Sequence, residues 1–340
     1  MSMLQASSAQ AIALSVVIPL YNEEDNVAPL CAALLDALGA QPRPFEIILV
    51  NDGSSDGTEQ RLAAAAATDP RIRVLNFRSN KGQTAAMMAG IDYAVGDVIV
   101  PMDGDLQNDP RDIVRLLEKL DEGYDVVSGW RRDRQDNFMV RTLPSRIANA
   151  VISRVSGVPL HDYGCSLKAY RREVLQGFRL YGEMHRFIPI YAAAQGARVA
   201  ELPVSHHARK FGQSKYGLNR TVKVLLDLLV VKFLTKYRTR PIYLFGQAGV
   251  SLLGFSFLVG LWALYLKVFE GVSFVRTPLP LLVSLCFISG LMCLLMGLLA
   301  ELIMRVYYES QGKADYRVKS VLNPREDESP NASSRRGTID

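Results

Sequence analysis

The sequence predicts an α/β domain built on a mostly parallel sheet, followed by a two-helix transmembrane hairpin. Three observations lead there. Ser15-Val-Val-Ile-Pro19, Phe45-Glu-Ile-Ile-Leu-Val50 and Asp97-Val-Ile-Val-Pro-Met102 read as buried strands, and each runs straight into a polar loop. Strand, loop, helix and strand alternate through the first hundred residues, the rhythm of a parallel sheet with helices on its faces. Two stretches near the end of the chain, 241–266 and 277–300, carry no formal charge.

Residues 1–11 are polar and lack basic residues, so they read as a flexible lead-in and not as a secretory signal. The first strand opens into Tyr21-Asn22-Glu23-Glu24 and the second into Asn51-Asp52-Gly53-Ser54-Ser55-Asp56-Gly57-Thr58. The third opens into Asp103-Gly104-Asp105-Leu106-Gln107. In extended backbone, residues i and i+2 face the same way. Asp103 and Asp105 therefore repel each other unless a cation or proton lies between them. A hard divalent ion, Mg2+ or Mn2+, suits such oxygens and keeps sites open for phosphate. An EF-hand is excluded, because Asn108 and Val114 stand where that loop needs Gly and Glu. Ligands of parallel sheets bind at the carboxyl ends of strands, so Glu23, Asp52, Asp103 and Asp105 should gather on one edge. G-x-G-x-x-G after the first strand and G-x-x-x-x-G-K-[ST] are both missing, which disfavours dinucleotide and P-loop binding.

Val17-Ile-Pro-Leu-Tyr-Asn-Glu23, Val50-Asn-Asp-Gly-Ser-Ser-Asp-Gly-Thr58 and Met102-Asp-Gly-Asp-Leu-Gln107 resemble the family 2 inverting glycosyltransferases. Asp105-Leu-Gln107, His185-Arg-Phe-Ile-Pro189 and Arg209-Lys-Phe-Gly-Gln-Ser-Lys-Tyr216 narrow the likeness. They resemble the polyisoprenyl-phosphate glycosyltransferases, the group of dolichol-phosphate mannose synthase and its bacterial relatives. The resemblance implies a Rossmann-like, glycosyltransferase A-type catalytic domain over 12–219. It implies a divalent ion on Asp105 and Gln107, with Asp103 reaching either the ribose or the ion. Asp52 should meet the base, and Pro19, Tyr21 and Glu23 should line the nucleotide pocket. Asp162, in His161-Asp-Tyr-Gly-Cys-Ser-Leu-Lys168, should take hydrogen bonds from the donor sugar or assist as a base. Asp103, Asp105, Asp162 and Arg131 form the implied catalytic set.

A sugar hydroxyl acceptor needs a general base, whereas a lipid monophosphate, with a second pKa of about 6, is already largely a dianion at neutral pH. Such an acceptor needs cations to hold and aim it, and arginine forks suit phosphate. By resemblance these are Arg131, Arg141 with Ser145, Arg209 and Lys215. Arg134 and Arg172 read as solvated charges, Cys165 as packing, and His206 and His207 as having no identifiable partner.

Residues 220–240 carry Arg220, Lys223, Asp227 and Lys236 near one helical face, as an amphipathic interfacial linker does. The hairpin is assigned to 241–304. Each charge-free stretch reaches about 36–39 Å as a helix, enough for a bilayer core of about 30 Å. Arg238 and Arg240 precede it, and Arg305, Lys313, Arg317 and Lys319 follow. This pattern predicts an inner-membrane protein with the catalytic domain and both termini cytoplasmic. The tail, 305–340, is expected to be partly disordered, most of all from Asn323 onward. The net charge of +5 suits an anionic membrane surface or phosphorylated substrates, and no nucleic-acid signature accompanies it. The four cysteines make no C-x-x-C pair, so neither zinc nor a disulfide framework is indicated. Expected partners are a nucleotide diphosphate sugar (a UDP-sugar is favoured), polyprenyl phosphate (undecaprenyl in bacteria), the membrane, and further copies of the chain, a tetramer by resemblance. A processive polysaccharide synthase would carry Gln-x-x-Arg-Trp, and neither Trp130 nor Trp262 sits in that context. A non-catalytic scaffold would have lost Asp103, Asp105 or Gln107, and all three are present.

Overall fold

The computed structural model describes residues 12–132, 149–150, 152–154, 156–175, 184–208, 242–309 and 316–325. They divide into two compact units, one of 1–228 with 315–340 and one of 229–314.

In the first unit, β1 (Leu14–Leu20), α1 (Glu24–Gly39), β2 (Phe45–Asn51), α2 (Thr58–Thr68), β3 (Ile72–Phe77), α3 (Gln83–Tyr93) and β4 (Val98–Pro101) alternate as expected. Then come α4 (Asp112–Asp121), β5 (Val126–Trp130), β6 (Lys168–Arg171), β7 (Val199–Pro203) and β8 (Val318–Leu322). Among the described residues these strands form one sheet in the order β7-β5-β6-β4-β1-β2-β3-β8. β4, β1, β2 and β3 run parallel, while β6 and β8 run antiparallel to their neighbours. Helices cover both faces of the central strands, so β2 and β3 are buried at every residue, which explains their near-continuous apolar runs.

The strand order reverses at β1, which has β2 on one side and β4 on the other. β4 ends at Pro101, opposite Val17. The main chain of Val17 still accepts from Met102 N at 3.0 Å. Pro19 points to the same side two residues later, beyond the end of β4, so its missing N–H breaks no rung. A crevice at the carboxyl ends of the strands opens there, at the topological switch point.

The second unit is a hairpin of helices Ile242–Phe269 and Leu279–Glu309. The helices touch backbone to backbone: a Cβ on Gly249 would lie 2.8 Å from Gly290 O, and one on Gly290 2.9 Å from Gly249 O. Ser256 Oγ donates to Val283 O at 2.8 Å. Small residues let apolar helices pack this closely. Phe245–Phe269 and Leu279–Ala300 are long and apolar enough to cross a membrane, and Phe257, Leu258 and Leu281 are exposed.

Residues 1–11, the linker 220–240 and the tail beyond Arg325 lie outside the described residues. The tail adds a feature that the sequence reading did not contain. β8 pairs antiparallel with β3, and Asn323 Nδ2 donates to Ala66 O and Ile72 O, both at 2.8 Å. Tyr316 stacks on Phe77 with ring centroids 5.5 Å apart. The added strand covers an edge that β3 would otherwise expose.

Arg325 also reaches the buried carboxylate of Glu46 at 2.6 Å. Glu46 further accepts from Ser15 Oγ at 2.5 Å, Val95 N at 3.0 Å and Arg73 at 2.8 Å. Burial pushes the Glu46 carboxyl up, but these bonds and the Arg325 charge together hold it below its ordinary value. The stability that Glu46 contributes is therefore fully present above the unfolded pKa and is lost as pH falls through the lower folded one. Arg325→Ala should cost about 1–3 kcal/mol at neutral pH. Thermal unfolding of the full chain from pH 7 to pH 3 should show the gap to wild type narrowing on the acid side. A gap independent of pH would contradict this account.

Candidate active site

The loops after β1 and β2 are laced together at the crevice. Asn22, at a positive φ of 51°, donates its main-chain N–H to Ser54 Oγ at 3.0 Å and accepts from Ser55 N at 2.9 Å. Glu23 N donates to Thr58 Oγ1 at 3.0 Å, and Asn26 Nδ2 donates to Glu23 Oε2 at 2.5 Å. Tyr21 stands 36% exposed beside them.

Asp52 is only 3% exposed and takes both of its oxygens to the start of α3. Oδ1 accepts from Lys81 N at 2.6 Å and Oδ2 from Gly82 N at 2.9 Å. These amides stand immediately before α3, Gly82 being its N-cap, where the positive end of the helix dipole favours a carboxylate. Burial raises the Asp52 pKa above its ordinary value, and the two amides and the Lys81 charge offset this only partly. Gly53, at φ +65°, makes the turn possible: a Cβ there would lie 2.5 Å from Ser79 C.

The same first turn of α3 reaches two more site residues. Gln83 Nε2 donates to Asp103 Oδ1 at 2.6 Å, and Thr84 Oγ1 bonds His185 Nδ1 at 2.8 Å. Burial, reinforced by the charges of Arg186 and Lys168, holds His185 well below its ordinary pKa, so it stays neutral. No sequence motif singled out Lys81-Gly-Gln-Thr84. Its one signal was a glycine between a polar run and a helix.

Asp105 is 9% exposed, and its Oδ1 accepts from Gln107 N at 3.2 Å. Leu106 between them has φ +60°, a conformation that costs a branched residue about 1–2 kcal/mol. Packing of its side chain against the core holds it there. Gln107 O accepts from His207 N at 2.8 Å, and Asn108 bridges His206. His207 thus does have a partner: its Nε2 lies 3.4 Å from Asp109 Oδ2. Among the described residues, no three His, Cys, Asp or Glu side chains converge into a metal cage.

Arg131 and Asp162, 31 positions apart, form one unit. Arg131 Nε donates to Asp162 Oδ2 at 2.7 Å and its terminal nitrogen to Oδ1 at 3.0 Å. Burial alone would lower the Arg131 pKa, but the charge and hydrogen bonds of Asp162 more than offset it, and the charge of nearby Asp103 adds to them. Glu201 on β7 fixes the loop by accepting from His161 N at 2.9 Å and Asp162 N at 3.1 Å. Cys165 is buried, with its thiol pushed up to about 11 by burial, and reads as inert.

The structure thus brings Tyr21, Glu23, Asp52, Asp103, Asp105 and Gln107 to loops at the carboxyl ends of β1, β2 and β4, with Pro19 near the end of β1 itself. Arg131 follows β5. Arg141, Ser145, Arg209 and Lys215 lie outside the described residues. Arg172 is not a solvated charge: it donates to Ala94 O and Val95 O, both at 2.7 Å, just past the end of α3.

Residues 15–178 match the profile of Glycosyl transferase family 2. The chain is 41% identical over 318 residues to a dodecaprenyl-phosphate galacturonate synthase of Rhizobium johnstonii, covering 92% of this chain and 94% of that protein. It is 38% identical over 315 residues to an undecaprenyl-phosphate 4-deoxy-4-formamido-L-arabinose transferase of Edwardsiella ictaluri, covering 91% and 94%. Glucosyl-3-phosphoglycerate synthase of Mycobacterium tuberculosis, solved with Mn2+, UDP and phosphoglyceric acid, shares the fold. That match has a TM-score of 0.50 at 18% identity, covering 66% of this chain and 78% of that one. The fold and the strand-end acids define a glycosyltransferase of the A type. The chain belongs to glycosyl transferase family 2, among its polyprenyl-phosphate glycosyltransferases.

Gly53→Ala should push the Asp52 loop off α3. Titration of UDP onto the full-length protein should show at least tenfold weaker binding, together with a lower melting temperature. Binding within twofold of wild type would mean that the Asp52 loop is not part of the nucleotide pocket.

Proposed function

We propose that this enzyme transfers a single sugar, with inversion, from a nucleotide diphosphate donor (a UDP-sugar is favoured) to the phosphate of a polyprenyl phosphate such as undecaprenyl phosphate. The observation that carries the reading is the Arg131–Asp162 pair. Asp162 has both oxygens committed to Arg131 and so is poorly placed to serve as a base. A phosphate acceptor needs none, because it arrives ionised. A half-buried arginine beside the acidic loop suits such an acceptor. Both relatives named above act on polyprenyl phosphates, but they differ in sugar, so the sugar is left to experiment. A panel of radiolabelled nucleotide sugars, incubated with membranes and followed by lipid extraction, identifies it.

Asp105 and Gln107 fit a divalent metal by the chemistry of their donors. A carboxylate and an amide oxygen are hard ligands, suited to Mg2+ or Mn2+. The amide nitrogen of Gln107 leans toward His207 O at 3.5 Å, which turns its Oε1 the other way. Bound there, the ion supplies Lewis-acid neutralisation of charge on the leaving diphosphate. Asp103, held by Gln83, borders the same loop. Asp52, Pro19, Tyr21 and Glu23 are assigned to the nucleotide, and Arg131 to the acceptor phosphate with Arg141, Ser145, Arg209 and Lys215. His207, main-chain bonded to Gln107, precedes Arg209 by two positions in sequence.

The chain leaves the catalytic unit for the hairpin and returns to the same sheet as β8. A spanning hairpin then has both ends on the catalytic side, which agrees with the positive flanks and with a cytoplasmic active site.

Asp105→Asn should lower transfer about 10²-fold or more, the scale of losing a key electrostatic group, and chelation should abolish transfer. Full activity in excess chelator would overturn the metal assignment. The lipid product should hold one phosphate and be labile to mild acid, with nucleoside diphosphate released. A lipid diphosphate-sugar with nucleoside monophosphate would instead mean sugar-phosphate transfer. Slow hydrolysis of donor without lipid should survive in Arg131→Ala and vanish in Asp105→Asn. Equal loss of transfer and hydrolysis in Arg131→Ala would move that residue to the donor diphosphate.

A further inference from the structure

Lys168, the first residue of β6, is 2% exposed. Its Nζ donates to Tyr163 O at 3.2 Å and to Cys165 O. A buried ammonium costs several kcal/mol in lost hydration, and two neutral carbonyls return only part of it. An apolar side chain would satisfy a strand position in this core more cheaply. What those carbonyls belong to accounts for the lysine. They bracket Gly164, in the loop that begins with Asp162.

That loop lies directly against the Arg131 guanidinium. A Cβ on Gly164 would come 3.1 Å from an Arg131 terminal nitrogen and 3.5 Å from Asp162 Oδ1. Glu201 anchors the loop at its start, through His161 N and Asp162 N. Lys168 anchors it at the other end. The charged and titratable groups around Lys168 are Cys165, Asp162, Arg131, Arg186 and the neutral His185.

We infer that Lys168 is a positioning residue for transfer, holding the 162–165 loop so that Asp162 aims Arg131 at the acceptor phosphate. This rests on the reading of Arg131 as an acceptor-phosphate ligand. Burial, more than the surrounding charges, lowers the Lys168 pKa to about 8, so near neutral pH the ammonium is mostly charged and its charge is lost as pH rises further. Arginine at the same position would keep its charge across that range.

The test uses the full-length protein in detergent, farnesyl phosphate as acceptor probe and UDP with Mn2+ as donor probe, each titrated by calorimetry. Lys168→Met should weaken farnesyl phosphate binding about tenfold while UDP binding stays within twofold. Lys168→Arg should restore acceptor binding to within about threefold. If Lys168 acts through Arg131, Lys168→Met added to Arg131→Ala should weaken binding no further. Unchanged acceptor binding in Lys168→Met, additive losses in the double variant, or equal loss of UDP binding would each overturn the inference. If Arg131→Ala alone leaves farnesyl phosphate binding intact, the acceptor reading of Arg131 fails, and the inference with it. Should Lys168→Met not fold, wild type and Lys168→Arg are compared from pH 7 to pH 9.5. Wild-type binding should weaken several-fold above about pH 8 while that of Lys168→Arg holds level, and matching curves would overturn the proposal.

Discussion

The buried carboxylate of Asp52 on the two amides just before α3 is the contact on which the strand-end loops depend. A carboxylate this deeply enclosed is tolerated only where its hydration is replaced, and unpaired amides at a helix start replace it well. The bond fixes the β2 loop and the start of α3 to each other. The first two residues of that helix then carry the arrangement outward, Gln83 to Asp103 and Thr84 to His185. One helical turn thereby sets the spacing between the β2 loop, the acidic loop after β4 and His185 behind them. Strain sits where this arrangement demands it, at Asn22 and Leu106, as sites over-determined by their surroundings permit.

Charge is divided along the sheet, with the boundary beyond β4. The acids follow β1, β2 and β4, whose loops meet at the crevice, and the cations gather beyond β4, around β5 and β6. Lys168 lies there within electrostatic reach of Arg131, Arg186 and Asp162, and Asp103 within reach of Arg131. An acidic loop suits an ion and a leaving diphosphate. A cationic wall suits an anion that attacks from the other face.

The parts of this design that were legible in the sequence are those governed by local rules. Buried parallel strands read as apolar runs, and the acids stand immediately after them, so the gathering of Glu23, Asp52, Asp103 and Asp105 at the strand ends is legible without coordinates. Contacts between distant segments were not legible. Arg131 and Asp162 both stand in the implied catalytic set, but nothing in the sequence between them announces that they pair. Gln83 and Thr84 are ordinary residues made relevant only by the helix start they occupy. His207 was left without a partner, and its neighbour Asp109 lies 98 positions away. Arg172 read as a surface charge because the carbonyls it holds belong to a helix end elsewhere in the fold. β8 was missed for a different reason. A five-residue run with a lysine and a serine, placed after two apolar helices, has no strand signal until the open edge of β3 is there to receive it.

That last element bears on how the hairpin and the catalytic unit share one chain. A tail that merely followed a membrane anchor would be free to vary. Here Arg325 enters a network with Ser15, Glu46, Arg73 and the main chain of Val95, joining β1, β2, β3 and the residues after α3. Removal of one partner from a buried charge costs far more than the pair itself contributes, because the remaining charge is left without compensation. The catalytic unit is therefore complete only when the chain beyond the hairpin has returned to it. Completion of the sheet edge is then linked by connectivity to the hairpin that precedes it, because without the returning chain both β3 and Glu46 would be short of a partner.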